Sequence, residues 1–196
     1  MKEIDFTFVE YKEAGTYSWT VPKFVKRIYV DLLGAGASGE GFSDNAYVSE
    51  AGQESSVNTI KASGGIVKKN PPERVNVFTY EGGDGEDSKL GKGGTVLDTE
   101  STGTPDATGS GAGGASFSYY NFSGYGGGEG KYLEDQMLEV TEGQVVTVTI
   151  GKGGNPITKD MLDKLEEGDE SIFLPGKGSD GYAKIRYMRI IEEETN

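Results

Sequence analysis

The sequence predicts an all-β protein, an antiparallel β-sandwich whose regular strands come from both ends of the chain. Two stretches near the termini alternate apolar and polar residues, which is the period of a half-buried strand. Glycine has the opposite distribution: of 32 glycines in 196 residues, one lies in the first 33 residues and none in the last 15. Helical periodicity is confined to a single short segment. Together these observations predict a sandwich that carries a long glycine-rich middle at one end.

The strand signals follow one another along the chain. Residues 4–9 and 16–21 alternate around Gly15 and predict a hairpin that ends at Pro22. The sequence FVKRIYVDLL, residues 24–33, predicts a long third strand. Residues 131–140 and 144–150 predict a second hairpin around a Thr-Glu-Gly turn, and residues 181–191 predict the closing strand.

One helix is predicted, at Thr158 to Glu167. Thr158 is a suitable N-cap, three apolar side chains form a stripe, and Gly168 ends the segment. Its length favours a short insertion rather than a layer of the core.

The length suits one domain over residues 1–196. Residues 1–41 and 131–191 are predicted to form the sheet core, and residues 42–130 a glycine-rich loop or insert region. Within that region, Phe42 to Tyr80 has little glycine and resembles an insertion, with a strand-like piece at Arg74 to Tyr80.

Composition excludes several classes of function. The absence of cysteine and histidine removes disulfides, thiolate nucleophiles, catalytic triads and the usual zinc ligands. A net charge of −13 argues against a nucleic-acid partner. No signal peptide or membrane-spanning stretch is present in the sequence, so membrane insertion is not expected. Carboxylate pairs stand in no recognisable catalytic context, so we predict no enzyme and no cofactor.

Two motifs have alternative interpretations. Gly34, Gly36 and Gly39 match the GxGxxG of dinucleotide sites, but no helical pattern follows them, which favours a simple glycine loop. The segment GGDGEDSKL resembles one copy of a calcium-binding repeat, and Asp84, Glu86 and Asp87 are therefore a candidate site for a hard cation. The default interpretation of this segment is a solvated acidic turn.

The glycine clusters carry the remaining signal. Gly124, Gly126, Gly128 and Gly130 are spaced by two, as on one face of a strand, whereas Gly124, Gly127 and Gly130 are spaced by three, as in packed polyproline-type helices. Spacing alone leaves open whether the runs are strands, loops or such helices. Aromatic residues interrupt the runs, and they either pack over glycine backbone or form a binding surface. The candidate receptor-binding residues are Tyr119, Tyr120, Phe122 and Tyr125.

Three segments resemble the glycine-rich domain of bacteriophage tail and receptor-binding proteins. They are AGTYSWTVPKFVKRIYVDLLGAGASG (Ala14 to Gly39), LEVTEGQVVTVTIGKGG (Leu138 to Gly154) and GSDGYAKIRY (Gly178 to Tyr187), which occur in the family's order. In some members the glycine runs form a sandwich of polyproline-type helices whose loops recognise the receptor. The glycine runs of this chain are short and interrupted, which argues against an extensive sandwich of that kind.

The resemblance implies a virion protein of tail-fibre, tail-tip or head-fibre type that mediates attachment or decoration. It implies other virion subunits as partners, a homo-oligomer with a trimer as the usual state, and a host surface glycan or protein as receptor. The protein would be made in the host cytoplasm and located in the virion. The alternatives are a purely structural capsid or tail component and a secreted carbohydrate-binding module.

Overall fold

The computed structural model describes residues 2–43, 46–67, 73–74, 80–81, 84–95, 106–115, 118–119, 122–123, 125–156 and 175–192. Every regular element in these ranges is a β-strand, and every strand pair is antiparallel. The helix predicted at Thr158 to Glu167 lies outside the described residues.

Two four-stranded sheets form the sandwich. In spatial order, the strands of sheet A are β1 Lys2–Tyr11, β16 Tyr182–Glu192, β3 Arg27–Leu33 and β14 Tyr132–Glu139. In spatial order, the strands of sheet B are β2 Gly15–Thr20, β15 Val145–Ile150, β6 Ser55–Val57 and β7 Ile60–Ala62. The predicted antiparallel β-sandwich is therefore confirmed.

The core lies between the two sheets and follows the alternation in the sequence. From sheet A, β3 contributes Ile28, Val30 and Leu32, and β16 contributes Ala183 and Ile185, all fully buried. From sheet B, β15 contributes Val146, Val148 and Ile150, and β6 contributes Val57. Because successive strand residues point to opposite faces, the residues between them lie on the outer surfaces.

Both predicted hairpins are wrong in their pairing. The strands before and after Gly15, β1 and β2, lie in different sheets and pair with β16 and β15 respectively. The strands around the Thr-Glu-Gly turn, β14 and β15, also lie in different sheets. Alternation shows that a strand has one buried face, but it does not show which partner it takes. Both turns carry the chain across the sandwich instead of back along one sheet.

The third strand is shorter than predicted and begins at Arg27 rather than Phe24. Phe24 has a φ of 66°, and the N–H of Val25 donates to the carbonyl of Pro22 at 3.3 Å, so the chain turns here before the strand begins.

The glycine-rich middle contributes to the sandwich and to short outer pairs. Its strands β6 and β7 complete sheet B. The remaining strands are β4 Gly41–Ser43 with β5 Ala46–Val48, β8 Glu73–Arg74 with β9 Tyr80–Glu81, β10 Leu90–Lys92 with β11 Thr108–Ser110, and β12 Ser118–Tyr119 with β13 Phe122–Ser123.

Candidate functional site

The glycine-rich segments form a second packed layer that continues directly from the sandwich strands. We call this layer the glycine bundle, and it consists of residues 34–40, 49–54, 63–66, 84–88, 93–95, 111–115, 125–131, 151–156 and 175–181. Several of these segments begin where a strand ends or end where a strand begins, as 34–40 does after β3 and 175–181 before β16. The sheets therefore set the position and direction of the segments.

Segment 34–40 is the centre of the bundle, and its backbone donors contact three neighbouring segments in turn. The N–H···O distances are between 2.9 and 3.1 Å. Gly34, Ala37 and Glu40 donate to segment 125–131, Ala35 and Ser38 to segment 49–54, and Gly36 and Gly39 to segment 175–181. On each neighbour the acceptor moves back by three residues at each step, so these neighbours run antiparallel to the centre.

A donor direction that repeats every three residues identifies the geometry. Polyproline-type helices have three residues per turn and no internal hydrogen bonds, so their N–H groups must bond to neighbouring segments. A strand, with its period of two, would direct alternate donors to two sides only. The bundle is therefore built of polyproline-type helices, and the spacing of three is the relevant one.

The glycines occur where two backbones are in contact. A Cβ atom added to Gly36 would lie 1.7 Å from the carbonyl oxygen of Ala112, and one added to Gly130 would lie 1.9 Å from that of Gly34. Ala35, Ala37 and Ser38 of the central segment are fully buried, so a small side chain fits between these contacts. The expectation against an extensive sandwich of glycine helices is therefore wrong, because interrupted runs are compatible with it.

The antiparallel arrangement brings several chain connections to the end of the bundle that is remote from the sheets. We call it the loop-bearing end, and it is defined by Glu40, Glu50, Ile66, Ala115 and Tyr125. Glu40 bonds Tyr125, Ser38 bonds Glu50, Gly128 bonds Ile66 and Gly176 bonds Ala115. The β4–β5 and β12–β13 pairs lie in the connections that leave the bundle here.

Carboxylates and a hydroxyl hold the backbone at this end. Glu40 is 1% exposed, and its Oε2 accepts the N–H of Tyr125 at 3.0 Å. The Oγ of Ser38 accepts the N–H of Glu50 at 2.9 Å, and the Oε2 of Glu50 accepts the N–H of Asn155 at 2.8 Å. Each acceptor satisfies a backbone donor close to where the chain enters or leaves the bundle.

The structure describes the backbone of three of the four predicted receptor-binding residues. Tyr119 and Phe122 are opposite each other in the β12–β13 pair, and Tyr125 begins the following bundle segment with 37% of its surface exposed. Tyr120 and the side chains of Tyr119 and Phe122 lie outside what the structure describes. A role in receptor binding stays a prediction for all four residues.

The three acidic residues predicted to bind a cation have separate polar contacts. Asp87 accepts from Lys92 Nζ at 2.6 Å and from the N–H of Gly93 at 2.8 Å, and these hydrogen bonds lower its pKa. Glu86 Oε2 accepts the N–H of Glu129 at 3.2 Å, and Asp84 is exposed. In the part of the chain that the structure describes, no three acidic side chains are grouped as metal ligands would be. The cation site stays a prediction.

Sequence reasoning did not identify Ser179 and Asp180, which brace the opposite end of the bundle. The Oγ of Ser179 accepts the N–H of Ala112 at 2.8 Å and donates to its carbonyl at 3.1 Å. Asp180 accepts the N–H groups of Gly153 and Ala14 at 2.9 and 3.1 Å. The signal that could have identified them is the polar pair Ser-Asp inside the glycine run GKGSDG. Polar side chains at such a position can accept hydrogen bonds from backbone N–H groups of neighbouring segments.

Comparisons with known proteins bear on the second half of the chain. Within the described residues, there is no helix with the length and apolarity needed to cross a membrane. None of the curated proteins compared with this chain matches it. Residues 105–188, which include bundle segments 111–115, 125–131 and 151–156 and most of β16, match the family model described as a glycine-rich domain.

Proposed function

We propose that this chain is a non-enzymatic bacteriophage virion protein of tail-fibre, tail-tip or head-fibre type. It mediates attachment or decoration through the connections at the loop-bearing end, and it assembles with other virion subunits. The observation that supports this role best is the set of hydrogen bonds around segment 34–40, which fixes those connections at one end of a rigid layer. The resemblance of the terminal segments to phage glycine-rich domains supports the same role.

The bundle is well suited to carry variable binding loops. Its internal contacts are mainly backbone hydrogen bonds and glycine contacts, so they do not depend on the sequence of the connections. Binding residues occur preferentially on loops that a rigid scaffold positions. A receptor-binding surface can therefore change here while the scaffold stays the same.

Adsorption measurements test the proposal. Phage particles that carry the combined substitutions Tyr119→Ala, Tyr120→Ala and Tyr125→Ala are expected to adsorb to host cells about tenfold or more weakly, because buried aromatic contacts commonly dominate recognition. Tyr29→Ala is the matched control, since Tyr29 has the same 37% exposure as Tyr125 but lies on sheet A. Adsorption of the control is expected to be unchanged.

Other outcomes would support the alternatives. Unchanged adsorption of the particles that assemble, combined with a lower yield of particles, would contradict attachment and favour a purely structural component. Tight binding of the isolated protein to soluble polysaccharide, with no incorporation into particles, would favour a secreted carbohydrate-binding module. Shortening of capsular or wall polysaccharide by the purified protein would contradict a non-enzymatic role.

A further inference from the structure

Among the strands that the structure describes, β1 is at one edge of sheet A and differs from the other edges of the sandwich. Among the described strands, β14 is interrupted by a bulge between Leu133 and Gln136, with Asp135 at a φ of 59°, and β7 and β2 have three and six residues. By contrast, β1 pairs with β16 over all ten residues, without a bulge. Proteins usually protect long, regular edges with bulges, prolines or short strands, because an open edge is a template for another strand. β1 has none of these features. Charged side chains can also protect an edge, but Asp5 and Glu10 of β1 are held in ion pairs with basic residues.

Large apolar side chains lie beside this edge on the outer face of sheet A. Phe6 is 78% exposed, Phe8 is 56% exposed, and Met188, which is opposite Phe6 on β16, is 54% exposed. The Nζ of Lys184 lies 4.1 Å from the centre of the Phe8 ring and covers part of one face of it. Exposed apolar patches of this kind are characteristic of interfaces. We call Phe6, Phe8 and Met188 the edge patch.

The charges near the edge patch are balanced although the whole chain has a net charge of −13. Glu10 pairs with Lys12 at 3.1 Å and Lys184 at 3.6 Å, and Asp5 pairs with Arg189 at 3.5 Å. Two copies of an acidic protein repel each other over most of their surfaces. This edge is a region where a second copy meets little net charge.

We propose that β1 pairs antiparallel with β1 of a second copy about a two-fold axis at Phe6. In this register Phe6 is opposite Phe6, Phe8 is opposite Ile4, and Glu10 is opposite Lys2. At these even-numbered positions apolar residues pair with apolar residues, and the one charged pair has opposite signs, as favourable cross-strand pairs require. At the odd-numbered positions Thr7 is opposite Asp5 and Val9 is opposite Glu3. The same surface is used by both copies, as in any two-fold interface.

Neighbouring registers are less complementary. An axis at Asp5 places two aspartates opposite each other, and an axis at Phe8 places Phe6 opposite Glu10. An axis at Thr7 pairs Phe6 with Phe8, but it places Ile4 opposite Glu10 and Asp5 opposite Val9. The register centred on Phe6 joins the two copies of sheet A into one sheet of eight strands and brings both edge patches together. It gives a dimer in place of the trimer expected from the resemblance. The interface does not depend on the attachment role, because β1 belongs to sheet A and the loop-bearing end is remote from the sheets.

Single cysteine substitutions test the register in the full chain, which contains no cysteine of its own. A disulfide requires Cβ atoms about 3.5–4.5 Å apart. Under mild oxidation Phe6→Cys is expected to form a covalent dimer, because the two positions face each other on the axis. Phe8→Cys is the matched control on the same face of the same strand. Its two copies are about 14 Å apart in this register and are expected not to crosslink.

Charge substitutions supply an independent measurement by analytical ultracentrifugation. The wild-type protein is expected to be a dimer, and Phe6→Lys and Phe6→Glu are each expected to weaken the dimer about tenfold or more, because like charges meet at the axis. An equimolar mixture of the two variants is expected to dimerise again. Met137→Lys, on the opposite edge strand and 54% exposed, is expected to leave the dimer intact.

A wild-type protein that stays monomeric, or that forms trimers, would overturn the proposal. Equal crosslinking at positions 6 and 8 would indicate random collision or an axis at Thr7, and either would also overturn it. Circular dichroism shows whether each variant remains folded, and the high exposure of Phe6 in the monomer predicts that it does.

Discussion

The hydroxyl of Tyr182 on β16 is linked to the neighbouring strand β1 by a hydrogen bond to one carboxylate, that of Glu10. It donates to Glu10 Oε1 at 2.7 Å, and Glu10 also pairs with Lys12 and Lys184. The hydrogen bonds from Tyr182 and Lys12 lower the pKa of Glu10, while burial and the bond to Glu10 raise the pKa of Tyr182. Each shift favours the protonation state in which the hydrogen bond forms, namely charged Glu10 and neutral Tyr182.

Replacing Tyr182 by Phe is expected to lower the free energy of unfolding by about 1 kcal/mol at neutral pH, since one hydrogen bond to a charged acceptor is lost. The contribution of Glu10 is present above its unfolded pKa and is lost as the pH falls through its lower folded pKa. The difference between wild type and variant should therefore disappear in acid. Urea unfolding at several pH values measures it, and an NMR titration should show that the pKa of Glu10 rises in the variant.

Tyr187→Phe is the matched control, because Tyr187 lies on the same strand and its ring contacts Trp19. Its loss of stability should not disappear as the Glu10 carboxylate becomes protonated. A stability difference for Tyr182→Phe that stays constant from neutral to acid pH would contradict the assigned role of Glu10.

At the scale of the elements, the glycine helices depend on backbone contact rather than on side-chain packing. Gly36→Ala is expected to lower the free energy of unfolding by more than about 3 kcal/mol, because the new Cβ would lie 1.7 Å from the carbonyl of Ala112 and neither backbone has room to move. Chemical denaturation measures the change, and loss of the folded protein would be the extreme form of the same result.

Gly143→Ala is the control for this substitution. Gly143 lies in the turn before β15 with a φ of 75°, and no atom lies within 4 Å of its Cβ position. A cost of about 1 kcal/mol is expected from the left-handed conformation alone. Equal costs for the two substitutions would show that the glycines are needed for conformational freedom and not for close approach.

The sequence was sufficient to predict the buried faces of the strands but not their partners. Val146, Val148 and Ile150 alternate with polar residues in the predicted strand 144–150, and all three are buried in the core. The pairing of β2 with β15 depends on packing between residues that are distant in the chain. Alternation within one strand contains no information about such a choice.

The contacts of the glycine bundle were even harder to predict from the sequence than the strand partners. Its period of three appears in the hydrogen bonds that segment 34–40 gives to three separate segments, not in the spacing of glycines along the chain. Ala35, Ala37 and Ser38 occupy positions that the contacts allow, so the glycine spacing is irregular. Tyr125, which lies at the loop-bearing end, was predicted as a receptor-binding candidate because an aromatic residue in a glycine run is conspicuous. Glu40 was not, because one acid among 32 acidic residues carries no distinctive signal.

At the scale of the whole molecule, the bundle and the sandwich depend on each other. The bundle buries mostly glycine, alanine and serine, so it gains little from the hydrophobic effect. Its segments are held in place because they continue strands that pack in the apolar core, as 34–40 continues β3 and 151–156 continues β15. The free energy that orders the glycine segments therefore comes largely from the sandwich.

This dependence predicts a single cooperative unfolding unit. The amide hydrogens of Gly36, Ala37 and Ser38 are expected to exchange with solvent only through global unfolding. Their free energy of opening should therefore equal that of the amides of Val30 and Ile185. Hydrogen exchange followed by NMR measures both groups in one sample. A substitution in the core, Val148→Ala, should lower the protection of both groups by the same factor, because its cost of about 1–3 kcal/mol acts on the common unfolding step. If the bundle amides exchanged faster than the core amides and did not respond to Val148→Ala, the bundle would be opening as a separate unit, and the rigid display of loops proposed for it would have to rest on a bound partner instead.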